Sequence, residues 1–96
     1  MNGKPVLVGT MEFPFRRMVM FHMACEDLDA LHEMADKIGV DRRWFQDKPG
    51  HPHYDICKSK KVLAMKHGAK EVNDRDIVRM HQRVFNFLPG LPIDGD

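Results

Sequence analysis

Cysteine is scarce in this chain of 96 residues: Cys25 and Cys57 are the only two, and both lie in apolar, strand-like segments. Two thiols in such contexts make no disulfide framework, so they read as reduced and the expected compartment is the cytoplasm. Long apolar runs are missing as well. Nothing approaches the roughly 20 residues of a membrane span, and Met1-Asn2-Gly3-Lys4-Pro5 leads into only a strand-length segment, so neither a span nor a signal peptide is expected. Charge of one sign is not in excess either, with 15 basic against 14 acidic residues and a formal net charge of +1. That balance disfavours nonspecific binding to nucleic acid or to a membrane surface. There is no internal repeat, no low-complexity tract and no glycine-rich phosphate loop.

What is present suffices for one core, since a domain needs roughly 100 residues to bury a useful interior. A single domain is expected over residues 1–88, with a tail at 89–96 that is loose or docked on a partner. Pro5-Val6-Leu7-Val8-Gly9-Thr10 is a short β-branched run, and residues 18–25 form a longer one, apolar on both alternating faces, as in a central strand. Between them Pro14 interrupts pairing, which predicts a connection over residues 12–17. Asp27 can cap a helix with Leu28, Leu31, Ala35 and Ile38 on one face and Gly39 as terminator. Residues 41–52 lack either period and predict an irregular loop. His53-Tyr54-Asp55-Ile56-Cys57 reads as a strand, Ser59 as the cap of a second helix, residues 69–72 as a brief strand, and Asn73 or Asp74 as the cap of a third helix. The stripe Ile77, Val78, His81, Val84, Phe85, Leu88 lets that last helix pack on its own sheet or on a second subunit. The order implies an α/β fold, with α+β as the alternative: a small mixed sheet of about four strands and three helices.

Polar chemistry gathers at two places. His53 and Asp55, two apart in a strand, leave the same face, with Tyr54 opposite; an imidazole beside a carboxylate can act as an oriented base or as two metal ligands. It can equally be a surface pair at a strand end. Arg42-Arg43-Trp44-Phe45-Gln46 combines cations that grip phosphate, a ring that stacks a base and an amide that reads an edge. The alternative is that Trp44 and Phe45 anchor the loop. Ser59-Lys60-Lys61 at a helix start is a weak anion signal. His22 on the central strand, Glu26 at its end and His32 at the inward edge of the first helix complete a set of metal-ligand candidates, His22, Glu26, His32, His53 and Asp55, whose spacing matches no zinc signature. His51, His67 and His81 offer weaker claims, as loop, helix-end and core histidines.

The string His22-Met23-Ala24-Cys25-Glu26-Asp27-Leu28-Asp29-Ala30-Leu31-His32, then Ile38-Gly39, Arg43-Trp44-Phe45-Gln46, His53-Tyr54-Asp55, Ser59-Lys60 and Gly68-Ala69, resembles a small bacterial and phage family catalogued as number 4031 among the domains of unknown function. The resemblance covers roughly residues 6–78 and matches at His22, His32, Arg43, Trp44, Gln46, His53, Tyr54, Asp55 and Lys60. It departs at Glu26, where the family pattern usually reads aspartate, at Lys61, in place of a frequent arginine, and at residues 47–52, which look like an insertion. The family's name implies no activity, although related domains occur beside predicted phosphohydrolase domains, an associational hint only.

Three functions follow as expectations. The first is a small domain that binds a phosphorylated, nucleotide-like ligand through Arg43, Trp44, Gln46, Tyr54 and Lys60, with His53, Asp55 and His22 available for catalysis of phosphoester hydrolysis. The second is a metal-assisted hydrolase using a divalent cation on the histidine and carboxylate cluster. The third is a noncatalytic phage or bacterial protein that sequesters a ligand or docks on a partner, with homo-oligomerisation through the last helix and tail. All three turn on whether these residues line one site.

Overall fold

Met18–Ala24, whose side chains leave two faces in turn, sets the layers of the molecule. In a computed structural model that describes residues 4–87, this segment is the central strand of a mixed sheet. The strands are β1 (Leu7–Gly9), β2 (Phe13–Phe15), β3 (Met18–Ala24), β4 (Tyr54–Cys57) and β5 (Lys70–Val72). The helices are α1 (Leu28–Ile38), α2 (Lys58–Lys66) and α3 (Asp74–Phe85), with one turn of 3₁₀ helix at Arg42–Trp44. Met20 pairs with Phe13 on one side and Cys57 on the other, and Met23 with Val8 and Tyr54. Hence β1 and β2 follow one another along one edge of β3, while β4 occupies the other. β5 joins β1 in parallel. The fold is α/β with three helices, as expected, and its sheet has five strands because one edge of β3 is shared by two.

The connection predicted over residues 12–17 is the main correction. β2 lies there, with Pro14 opposite Val19. An edge strand can leave a proline's missing donor on its unpaired side, so the residue that argues against a central strand does not argue against this one. Arg16 and Arg17 form the two-residue turn into β3, Arg16 at φ 58°.

The odd positions of β3 and the even positions of β4 face α1 and α2. Phe21, Met23, Tyr54 and Ile56 pack there with Val6, Val8, Leu31, Met34, Ala35, Ile38 and Ala64. Leu31 and Ile38 are essentially buried, each contributing about 1.5–3 kcal/mol relative to an exposed side chain. α1 forms as expected: the Asp27 carboxylate accepts the amide N–H groups of Asp29 and Ala30, and Gly39, at φ 79°, closes the helix. α2 begins differently. Its N-cap is Cys57 with no side-chain cap, because β4 runs directly into the helix, and Ser59 falls inside the first turn with its hydroxyl 3.3 Å from Cys57 Sγ.

The other sheet face receives α3, capped by Asn73, whose side chain accepts the Asp76 N–H. Ile77 and Met80 pack on Ala24, with Leu7, Val72, Val84 and Phe85 around them. Much of the apolar stripe of the last helix thus packs on its own sheet. Met80, outside the expected stripe, belongs to it. Leu88 and the tail at 89–96 lie outside the described residues. Among those described, no helix is long and apolar enough to cross a membrane.

Candidate functional site

β3 and β4 pair with His22 opposite Asp55, and alternation along the extended chain puts His53 on that same face. Asp55 Oδ1 thereby receives two imidazoles: His22 Nδ1 at 2.9 Å and His53 Nε2 at 3.4 Å. The second carboxylate oxygen accepts the side-chain amide of Gln46. Gln46 reaches it because the loop pairs back on the strand, Gln46 and His53 exchanging backbone hydrogen bonds of 2.9 and 3.1 Å. The sheet face is open at this point, leaving the side chains of His22 and Asp55 36% and 24% exposed, while that of His53 is only 10% exposed.

Protonation follows from partners. The His51 carbonyl, 2.7 Å from His53 Nδ1, can only accept, so Nδ1 carries a hydrogen and Nε2 is the atom presented to Asp55. Burial pulls the His53 pKa down, but its bonds to Asp55 and to the His51 carbonyl outweigh that and raise it. For Asp55 burial pushes upward, yet the donors from His22, His53 and Gln46 hold the carboxyl far below the usual carboxylate range. The acceptor at the centre stays ionised.

A wall of rings surrounds it. Phe13 of β2 stacks on His22 with ring centroids 4.7 Å apart, and His51 stacks on His53 at 5.7 Å. Phe87, just past α3, packs on His51 at 4.6 Å, and its backbone lies 3.0 Å from where a side chain on Gly50 (φ 78°) would begin. His81 of α3 donates from Nε2 to the Pro52 carbonyl at 3.2 Å. Two ties from the end of α3 thus hold the loop that carries His53.

Of the residues singled out in the sequence, His22, Gln46, His53 and Asp55 meet. Tyr54 and His32 do not: they lie on the α1 side of the sheet, the His32 ring nitrogen Nδ1 2.7 Å from the Tyr54 hydroxyl and the ring edge-on to Phe45. Glu26 pairs with Arg83 and Lys4 and lines a groove of about 340 Å³ with Lys70, Asp76 and Arg79 that does not include the histidines. The Lys60 ammonium sits beside Gly39 at the end of α1. Arg42 is held by Asp36 through two bonds, of 3.1 and 2.8 Å. Trp44 is 60% exposed, so it is no anchor of the loop, and Arg43, its guanidinium 5.3 Å from the Trp44 ring centroid, is exposed beside it. Of the two rings, Phe45 is the one that packs against the core.

Phe13 is a participant the sequence did not mark, while His51 and His81, read there as loop and core histidines with weaker claims, both pack beside the centre. The spacing of His51 from His53 is the same two-residue interval that marks His53 and Asp55, so His51 had a local signal; His81 is buried as its place on the helical stripe implied, and Phe13 had no signal. Cys57 lies one strand repeat beyond Asp55 on the open face, its thiol pKa lowered by the Ser59 hydroxyl and by backbone amides of the first turn of α2.

Among the described residues, His22, His53 and Asp55 are the one group able to hold a metal ion, each offering a donor atom within 4.8 Å of the others. Comparison with curated proteins and with solved structures gives no match. The family model described as "Protein of unknown function (DUF4031)" matches residues 6–84, from just before β1 into α3. That span holds every residue of the His22–Asp55–His53 centre, and the chain belongs to this family.

Proposed function

We propose that the chain hydrolyses a phosphoester in a small, nucleotide-like ligand at the His22–Asp55–His53 centre. The observation that carries this reading is the sharing of one Asp55 oxygen by two imidazoles on a solvent-reached face. His53 and Asp55 shift one another's pKa at an open position, a pattern that clusters at functional sites, whereas as a purely structural ion pair they would add little. In the reaction, water oxygen forms a bond to phosphorus as the bond to the leaving oxygen breaks. The centre takes the proton that water sheds, and the leaving oxygen takes one from solvent. Arg43 and Trp44 supply recognition: an exposed guanidinium, held only loosely by Asp41 at 3.9 Å, grips phosphate through two parallel bonds, and the exposed indole beside it stacks a base.

The test is a panel of nucleoside mono-, di- and triphosphates with a simple aryl phosphate, followed by phosphate or phenol release. Turnover should fall at least about 100-fold in Asp55→Asn, and Arg43→Ala should raise KM more than it lowers kcat. Turnover of no substrate, or equal turnover in Asp55→Asn, overturns the reading.

One feature favours the alternative of a noncatalytic interaction protein. Phe15, Met18 and Val19 are exposed around the β2–β3 turn. Light scattering on the full chain separates the two, since a monomer with turnover leaves the hairpin without a docking role.

A further inference from the structure

We propose that His22 Nδ1, His53 Nε2 and Asp55 Oδ1 form a mononuclear site for a divalent transition cation of the zinc type. This deepens the reading of the centre as hydrolytic and rests on it for purpose. Its test does not depend on turnover.

Geometry makes the case. Metal bonds of about 2.0–2.1 Å set neighbouring ligand atoms about 3.0 Å apart around an octahedral ion and about 3.4 Å apart around a tetrahedral one. The two nitrogen-to-oxygen separations here are 2.9 and 3.4 Å, and all three donor atoms fall within 4.8 Å. The remaining nitrogen-to-nitrogen separation, at most 4.8 Å, has to close as the rings settle on one ion.

Outer partners already orient two of the three ligands. The His51 carbonyl takes the Nδ1 hydrogen of His53, which turns Nε2 toward the ion position, and the Gln46 amide takes the far oxygen of Asp55, which leaves Oδ1 free to coordinate. Such bonds are the standard support of histidine and carboxylate ligands. Phe13 fixes the plane of His22 by stacking. The ligand set decides the class of ion: two imidazoles and one carboxylate suit Zn²⁺, Co²⁺ or Ni²⁺, whereas Mg²⁺ and Ca²⁺ favour oxygen alone. Three protein ligands on an open face leave a position for water, the arrangement of catalytic rather than structural zinc. The ion would acidify that water, whose proton would pass to solvent, and with the ion bound the imidazoles serve as ligands in place of the proton-accepting role they have without it. His32 and Glu26, engaged elsewhere, take no part.

The full 96-residue chain, stripped with chelator, is titrated with Zn²⁺ alone by calorimetry and with Co²⁺ by visible absorption. One equivalent is expected, with cobalt bands of four- or five-coordinate intensity. Gln46→Ala should weaken Zn²⁺ binding about 10- to 100-fold, and His22→Gln and Asp55→Asn by more, while His67→Gln, at the exposed end of α2, leaves it unchanged. In the unsubstituted chain Zn²⁺ should shift the ring resonances of His22 and His53 and spare those of His32 and His67, a readout that needs no variant to fold. Absence of stoichiometric uptake, or shifts confined to other histidines, overturns the site. Uptake without phosphoester turnover removes the hydrolase reading alone.

Discussion

His81 is 3% exposed and gives its one imidazole hydrogen to the Pro52 carbonyl, with His51 and His53 nearby. Burial, only partly countered by the Pro52 carbonyl and reinforced by those neighbours, lowers its pKa to about 4. An unfolded chain takes up this proton near pH 6.5, the folded one only near 4, so the unfolded state binds more protons between those values. Stability from His81 is complete above about pH 6.5, falls as pH drops through that window by up to about 3 kcal/mol, and levels off below it. Urea unfolding at pH 7 and pH 5 should show the loss, and His81→Gln, which keeps a donor without the titration, should flatten it. At this scale the sequence already set His53 and Asp55 on one face, because residues two apart in a strand share it, while leaving open whether the pair does more than sit at a strand end. It did not declare which of the other candidates join them. His22 is 33 residues from Asp55, Gln46 arrives by a loop turning back on its own strand, and both placements depend on pairing rather than on local spacing.

Elements with local punctuation were the legible ones. α1 has a capping aspartate, a helical stripe and a glycine terminator, and it forms between those marks. Asp27→Ala should cost about 1 kcal/mol in chemical denaturation, by orphaning two amide donors of the first turn. β2 was hidden, because Pro14 is a breaker in most strands and harmless only where one side stays unpaired. The start of α2 was displaced for the same kind of reason: a strand that runs directly into a helix needs no side-chain cap. The β2–β3 turn carries a cost of its own. Arg16 holds a positive φ that glycine adopts freely, so Arg16→Gly should raise the urea midpoint, by up to about 1 kcal/mol in stability. A lower midpoint would mean that the contact of Arg16 with the Phe15 ring, 5.4 Å to the centroid, outweighs the backbone.

The molecule as a whole has two faces with different duties. α1 and α2 bury the Tyr54 and Ile56 side of β4, and the opposite side is left partly open around Asp55. Tyr54→Phe removes the bond to His32 and should cost about 1 kcal/mol, with Asp55, His53 and any turnover undisturbed; paired denaturation and activity measurements check both halves. Alternation made this division of β4 readable, whereas nothing local foretold that α3 would cover only part of the open side, since a helical stripe does not say how far along a sheet it lies.

The register that sets His22 against Asp55 also guards the folding of the chain. A slip of β4 by one residue would drive Asp55 and His53 into the apolar layer beneath α1 and put Tyr54 and Ile56 in water. The charges of the centre thus proofread strand pairing. Because that pairing closes a long loop, the centre should assemble late in refolding, after the local contacts of α1.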